Sequence, residues 1–259
     1  MPKLSVTIIT KNEERNLAGA LESVAWADEV IVIDAESTDQ TVSIARRFTT
    51  HVLVRQWNGY IEQKNYAAGA ATHDWILSLD ADERIGSRLA AEIRALLTSD
   101  PPANGYRIPR VTWYLGRWIR TTDWYPDYQL RLYDRRAARW QGRYVHESVA
   151  VDGRVDYLRG DIEHYPYCDL AHHLQKMNVY STLAARQLHE QGRRATVVHL
   201  LAHPPLALLR NLILRGGFRD GALGVLVSIL NSYYVFQKFA KLWELDRPAG
   251  TSESSLIGG

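Results

Sequence analysis

Apolar residues follow two rhythms along the first hundred positions, and the switches between them mark out strands and helices. Leu4 to Ile9 reads as a strand, Glu13 to Val24 carries helical spacing through Leu17, Ala20, Leu21 and Val24, and Glu29 to Asp34 reads as a second strand. Asp39 to Phe48 predicts a short helix with Thr38 or Asp39 as its N-cap, His51 to Val54 a third strand, Ile61 to Ala71 a helix and Trp75 to Leu79 a fourth strand. Arg84 to Leu97 predicts another helix, ended by the Asp100-Pro101-Pro102-Ala103-Asn104-Gly105 cluster. Strands alternating with helices imply parallel pairing through right-handed crossovers. This is the pattern of a nucleotide-binding half-domain. It lacks the Gly-x-Gly-x-x-Gly turn of dinucleotide folds, which disfavours hydride transfer.

The pattern then changes. Residues 106 to 165 are rich in Tyr, Trp and Arg, with strand signals at Gly105 to Ile108, Tyr128 to Tyr133 and Glu147 to Val151. They suit an antiparallel or mixed extension that walls a cleft, with some of the aromatics facing a ligand and most of them packed. Ala171 to Gln191 is helical. From Pro204 to Leu245 apolar residues dominate, broken at Gly216-Gly217; the run Ala222 to Phe236 is too short for a span, which needs about 20 apolar residues. Two amphipathic or re-entrant helices with flanking Arg, Lys and Tyr fit an interfacial membrane anchor, and a pair of core or dimer-interface helices, hence a homo-oligomer, is the alternative.

Composition narrows the classes. At 259 residues the chain can bury one large core, or one domain with an appendage. A formal charge of +2, without a Lys/Arg run or an aromatic-interleaved basic stripe, argues against nucleic acid. The single cysteine, Cys168, excludes an internal disulfide or a Cys-rich zinc site and fits the cytoplasm; beside aromatics, it is expected in the core. Met1-Pro2-Lys3 leads straight into the first strand, so no secretion signal is expected.

The chemistry gathers at strand ends. Trp75 to Leu79 closes in Asp80-Ala81-Asp82-Glu83, two carboxylates at alternate positions at the edge where open α/β sheets bind ligands. Such a pair can share a divalent ion, Mg²⁺ or Mn²⁺, and the phosphate oxygens it bridges. Thr10-Lys11-Asn12-Glu13 follows the first strand, Asp34 to Asp39 the second, and Gln63-Lys64-Asn65 lies on the helix before the fourth. Together they describe a nucleotide pocket with Asn12 and Asp34 among its candidate donor-binding residues. Asp39 offers an acceptor to a uracil-like base, Asp80 suits a ribose diol, and the metal and Lys64 answer a diphosphate. Asp34 to Asp39 also fits a plain turn and helix cap.

The ordered set Thr-Ile-Ile-Thr-Lys-Asn-Glu (7–13), Asp-Ala-Glu-Ser-Thr-Asp-Gln-Thr (34–41), Gln-Lys-Asn (63–65) and Asp-Ala-Asp (80–82) resembles the inverting family 2 glycosyltransferases of the α/β GT-A fold, especially their lipopolysaccharide-core glucosyltransferase branch. The resemblance covers residues 4–165, and Tyr233-Tyr234-Val235-Phe236 with the Lys238, Lys241 and Leu242-Trp243 that follow is similar too. It implies a nucleotide-diphosphate sugar donor, a UDP-sugar above all, with Thr10, Glu13 and Asp39 around the base, Lys64 nearby, Asp80 toward the ribose and Asp82 on the metal. Ala35 stands where an acid often accompanies Asp34, and Arg136 leaves Arg139-Trp140 outside the Gln-x-x-Arg-Trp signature of processive synthases, so single-sugar transfer is expected. The implied layout is a catalytic domain over 1–165 (nucleotide half 1–100, acceptor-side half 101–165), a C-terminal helical region over 166–247 at the inner face of the cytoplasmic membrane, and a disordered or vector-derived tail over 248–259. The implied acceptor is lipid-linked or a lipopolysaccharide core.

An inverting transfer needs a carboxylate opposite the leaving diphosphate to deprotonate the acceptor hydroxyl. Glu147, in Val145-His146-Glu147-Ser148, is the first candidate, because the branch carries a His-Glu at the matching place; Asp127 is the second. Arg131 and Arg143 are candidates for holding donor phosphate or an anionic acceptor, and His164 for the metal shell or the diphosphate. Two rivals stand beside this reading. A sugar-nucleotide nucleotidyltransferase would want a Gly-rich basic loop after the first strand, where Thr10 to Glu13 is acidic, and a non-catalytic membrane scaffold would leave the acids without a purpose.

Overall fold

In the computed structural model, which describes residues 1–143 and 146–247, strand and helix alternate as the hydrophobic rhythm demands. β1 (Leu4–Thr10), α1 (Leu17–Ser23), β2 (Glu29–Asp34), α2 (Thr41–Phe48), β3 (Val52–Val54), α3 (Tyr60–Ala70) and β4 (Trp75–Asp80) build a parallel sheet in the order β3-β2-β1-β4. β1 is buried along its whole length because helices cover both faces of the sheet. Leu4, Val6 and Ile8 pack with Leu17, Leu21 and Ile93, while Ile9 packs with Ala67 and Ala68 of α3.

Three boundaries differ from the sequence reading. α1 starts at Leu17 rather than Glu13, because residues 12–14 are bound to the loop after β2 instead of to a helical turn. Gln40 occupies the N-cap position of α2 without a side-chain cap bond, while the expected cap Asp39 accepts the Thr41 N–H at 2.9 Å. Arg84 does not open a helix: it belongs to β5 (Glu83–Ile85), and α4 (Ser87–Leu96) begins only after Gly86.

The remaining strands make the extension mixed. β6 (Gly105–Tyr114), β7 (Arg117–Ile119), β8 (Asp127–Asp134), β9 (Ala138–Arg143), β10 (His146–Val151), β11 (Val155–Tyr157) and β12 (Ile162–His164) follow in chain order. β8 lies antiparallel between β4 and β6, and β12 is parallel to β6 and antiparallel to β5, giving β3-β2-β1-β4-β8-β6-β12-β5 with β7 and β11 also on β6. This order brings residues far apart in sequence to one edge: Arg131 of β8 beside Asp80 of β4, and His164 of β12 opposite Glu83 of β5. β9 and β10 form a separate hairpin. It is fixed to α3 by Asn65, whose side-chain amide donates to the Trp140 carbonyl at 2.9 Å and accepts the Trp140 N–H at 2.9 Å.

The chain divides into two compact units, Met1–Tyr167 and Cys168–Gly259. The second contains α5 (Leu170–Glu190), α6 (Val197–Leu209) and α7 (Gly221–Leu245). Lys241 ties α7 to α5, donating to the Asn178 carbonyl and side chain and to the Ser181 and Thr182 hydroxyls at 2.6–2.8 Å. α6 contains Pro204 and Pro205 and widens into a π-helical turn at Arg210–Leu214, where buried Asn211 donates to Ala207 and accepts from Asn231. Val197–Leu214 is long and apolar enough to cross a membrane by length and composition, yet only 17% of it is buried. Cys168 is exposed, not in the core, because it sits at the entry to α5 ahead of the Asp169 N-cap. The tail 248–259 lies outside the described residues.

Candidate active site

At the C-terminal edge of the parallel strands, the chain places a line of alternating charges. Glu147, Lys64, Asp80, Arg131, Glu83, Arg110 and Asp127 are joined in that order by contacts of 3.3, 3.0, 2.5, 2.8, 2.9 and 2.6 Å. Lys64, Arg131 and Glu83 are buried. Taking each such ion out of water costs several kcal/mol, so it is tolerated only because its neighbours carry the opposite sign. Burial opposes the ionisation of Asp80, but the adjoining Arg131 and Lys64 charges hold its carboxyl well below the usual range. Burial works against the charge on Arg131 and Arg110 as well, and their carboxylates overcome it: Asp80 and Glu83 for Arg131, Glu83 and Asp127 for Arg110. Glu83 also accepts the Asp80 backbone N–H at 3.0 Å, which shapes the turn that presents Asp82.

The two candidate bases occupy the two ends of this line. Asp127 is gripped at both oxygens: Arg110 donates to Oδ2 from Nε and Nη2 at 3.0 and 2.6 Å, and Gln129 donates to Oδ1 at 2.7 Å. Glu147 joins through the longest contact in the series, 3.3 Å to Lys64. Arg131, expected to meet phosphate or an acceptor, is 3% exposed and engaged by Asp80 and Glu83. The Arg143 side chain lies outside the described residues.

Beside the line, His164 Nε2 stands 3.5 Å from Asp82 Oδ2, with both side chains half-buried. The register that pairs His164 with Glu83 and the bond from Tyr165 N–H to the Asp82 carbonyl fix this approach. His164 Nδ1 is buried and has no hydrogen-bond partner among the described residues. No group of three or more His, Cys, Asp or Glu side chains there is arranged to hold a metal ion. The Asp82 carboxylate nevertheless fits an Mg²⁺ or Mn²⁺ that takes the rest of its shell from phosphate and water, and the His164 imidazole suits Mn²⁺ better than the harder Mg²⁺.

In the loops after β1 and β2, the candidate residues are largely bonded to one another. Asn12, at φ 54°, accepts the Thr38 N–H at 2.8 Å, and its own N–H goes to Ser37. Asp34 is fully buried and accepts from the Ser37 N–H and hydroxyl. Glu13 N–H donates to Thr41, and its carboxylate accepts from Asn16. Asp39 accepts from the Thr41 hydroxyl and N–H and from the Glu14 N–H; these donors outweigh its desolvation and keep its pKa below normal. Thr10 Oγ1 is buried and has no hydrogen-bond partner among the described residues. Asp34 and Asn12 therefore set the shape of the two loops.

The sequence reading gave no role to Glu83 or Arg110, and it met Trp140 and Asn65 only as motif letters. An arginine within the strand alternation Tyr106-Arg107-Ile108-Pro109-Arg110-Val111 and a glutamate just past the acid pair were the available signals. Trp140 packs its ring 4.3 Å from Lys64 Nζ.

A parallel α/β half continued by a mixed sheet, with acids clustered where the two meet, defines a GT-A glycosyltransferase fold. The mannosyltransferase PcManGT of Pyrobaculum calidifontis, solved with GDP-Man and Mn²⁺, superimposes with a TM-score of 0.56 at 16% identity, covering 95% of this chain and 88% of that one. Within that class the chain belongs to glycosyl transferase family 2, which it matches over residues 5–152. It is 34% identical to an uncharacterized glycosyltransferase of Rickettsia typhi over 95% of this chain and 88% of that protein. It is also 29% identical to the lipopolysaccharide core biosynthesis glycosyltransferase LpsC of Rhizobium meliloti, over 94% of each. The protein is thus a glycosyltransferase rather than a nucleotidyltransferase or a scaffold.

Proposed function

We propose that the chain is a metal-dependent, inverting and non-processive enzyme that moves one hexose from a UDP-sugar to a hydroxyl of a lipopolysaccharide-core or lipid-linked acceptor. The observation that carries this reading is the sharing of Lys64 by Asp80 and Glu147, which puts a carboxylate one ammonium away from the turn that bears Asp82. Glu147 takes the acceptor proton as the new C–O bond forms, while the bond to the diphosphate breaks on the opposite face of the sugar. Asp127, held by Arg110 and Gln129, is the poorer acceptor of a proton. Asp82 and His164 would hold a divalent ion, which when bound would supply charge to neutralise the diphosphate leaving group.

The resemblance to LpsC supports the lipopolysaccharide-core acceptor and a place on the cytoplasmic side of the membrane. Exposed Leu201, Leu206, Leu209, Ile213, Leu214 and Phe218, beside exposed Arg210, Arg215 and Arg219, support peripheral contact with anionic lipid. The test is transfer from UDP-hexoses to deacylated core oligosaccharide with Mn²⁺. Wild type should transfer, chelation should stop it, and Asp82→Ala should be inactive with or without metal. Full turnover by Asp82→Ala with the metal chelated contradicts the reading.

A further inference from the structure

We propose that Lys64 is a clamp on Glu147 which the donor diphosphate opens, so that the proton acceptor is released only when the donor is in place. Resting on the reading of Glu147 as the base, this adds a coupling between the two substrates.

Lys64 is 2% exposed, and its ammonium lies between Asp80 at 3.0 Å and Glu147 at 3.3 Å, against the Trp140 ring. The two partners are not equivalent. Asp80 also receives Arg131 at 2.5 Å and stays paired if Lys64 turns away. Glu147 stands on the separate β9–β10 hairpin and has the longest contact of the series. Four carboxylates and three cations make the line net negative by one. A diphosphate arriving beside it needs a cation to change partners. Arg131 and Arg110 are each held by two acids on the main sheet, with contacts of 2.5 to 2.9 Å, whereas Lys64 has a compact ammonium on a flexible stem. The two Asn65–Trp140 bonds hold α3 in place beneath it, so the side chain can move without the backbone.

Glu147 and the diphosphate therefore compete for one ammonium, and by reciprocity of linked binding, removing the Glu147 charge tightens the diphosphate. Calorimetry with Mn²⁺ tests this on the full chain. Glu147→Gln should bind UDP about three- to thirtyfold more tightly than wild type, the span of coupling between contacting groups, and should bind uridine equally. In a Lys64→Met background the gain from Glu147→Gln should vanish. Unchanged or weaker UDP binding by Glu147→Gln overturns the clamp, as does a gain that persists with Lys64→Met. If Lys64→Met does not fold, the UDP and uridine contrast decides: equal tightening of both overturns it. Absence of UDP binding by wild type overturns the donor reading and the clamp together. Loss of transfer by Glu147→Gln without tighter UDP binding overturns the clamp alone.

Discussion

The two units of the chain invert each other's use of polarity. Residues 1–167 bury ions: Lys64, Glu83 and Arg131 sit inside, each flanked by opposite charge. Residues 168–247 expose hydrocarbon: Leu201 and Leu214 are 72% and 77% exposed, while Ser181, Asn211 and Ser228 are buried. A buried charge in the first unit is kept by electrostatic pairing with its neighbours. The exposed leucines of the second unit make up the surface proposed to meet lipid.

The comparison breaks most sharply at Glu83. Glu83→Gln leaves Arg131 and Arg110 each short of a partner in a buried setting, and should cost about 3–5 kcal/mol of stability by urea unfolding. A loss below about 1 kcal/mol would mean that water already screens the line.

On the other unit, Leu201→Glu with Leu214→Glu should weaken binding to anionic liposomes by about 10²-fold or more in a flotation assay, since each buried leucine contributes roughly 1.5–3 kcal/mol. The melting temperature should hardly move. Unaltered flotation would favour a protein partner for this surface.

Gly224→Ala should destabilise the helical unit by about 1–3 kcal/mol by thermal unfolding. A Cβ there would lie 1.9 Å from the Gly217 carbonyl oxygen, and that clash outweighs the roughly 1 kcal/mol that alanine normally gains in a helix.

Acid should loosen the units in sequence. Burial, helped by the neighbouring His172 charge, pushes His173 down from 6.5 to about 4. Its folded pKa lies below its unfolded one, so its contribution is full above pH 6.5 and falls as pH drops from 6.5 toward 4, by about 1–2 kcal/mol at pH 5. Asp39 and Asp134, held below 3.8 by hydrogen bonds that outweigh their desolvation, keep their contributions until pH falls below about 3.8. Hydrogen exchange at pH 5 should therefore rise in α5 before it rises in β1 and β4, and His173→Phe should remove the difference.

How much of this was legible in the sequence depends on how local each cause is. β1, β2 and β4 announce themselves because apolar side chains on both faces are a property of each strand alone. The start of α1 was misread because Asn12, Glu13 and Glu14 are bonded to residues 37–41, an interaction invisible in a local window. Asp80 and Asp82 stand out as candidates at the end of a strand, and Lys64 as a lysine on the helix that precedes it. Glu83 and Arg110 were missed because their roles arise only when β8, β6, β12 and β5 fall into register. The π-helical turn at Arg210–Leu214 depends likewise on Asn231, twenty residues beyond Asn211.

The central claim is that Glu147, not Asp127, accepts the proton. Single-turnover transfer by Glu147→Gln and Asp127→Asn, with UDP binding measured on the same preparations, tests it most directly. The account predicts that Glu147→Gln binds UDP at least as tightly as wild type and loses about 10²–10⁴-fold in rate, while Asp127→Asn stays within about tenfold of wild type. Normal transfer by Glu147→Gln, with the loss falling on Asp127→Asn, would contradict it.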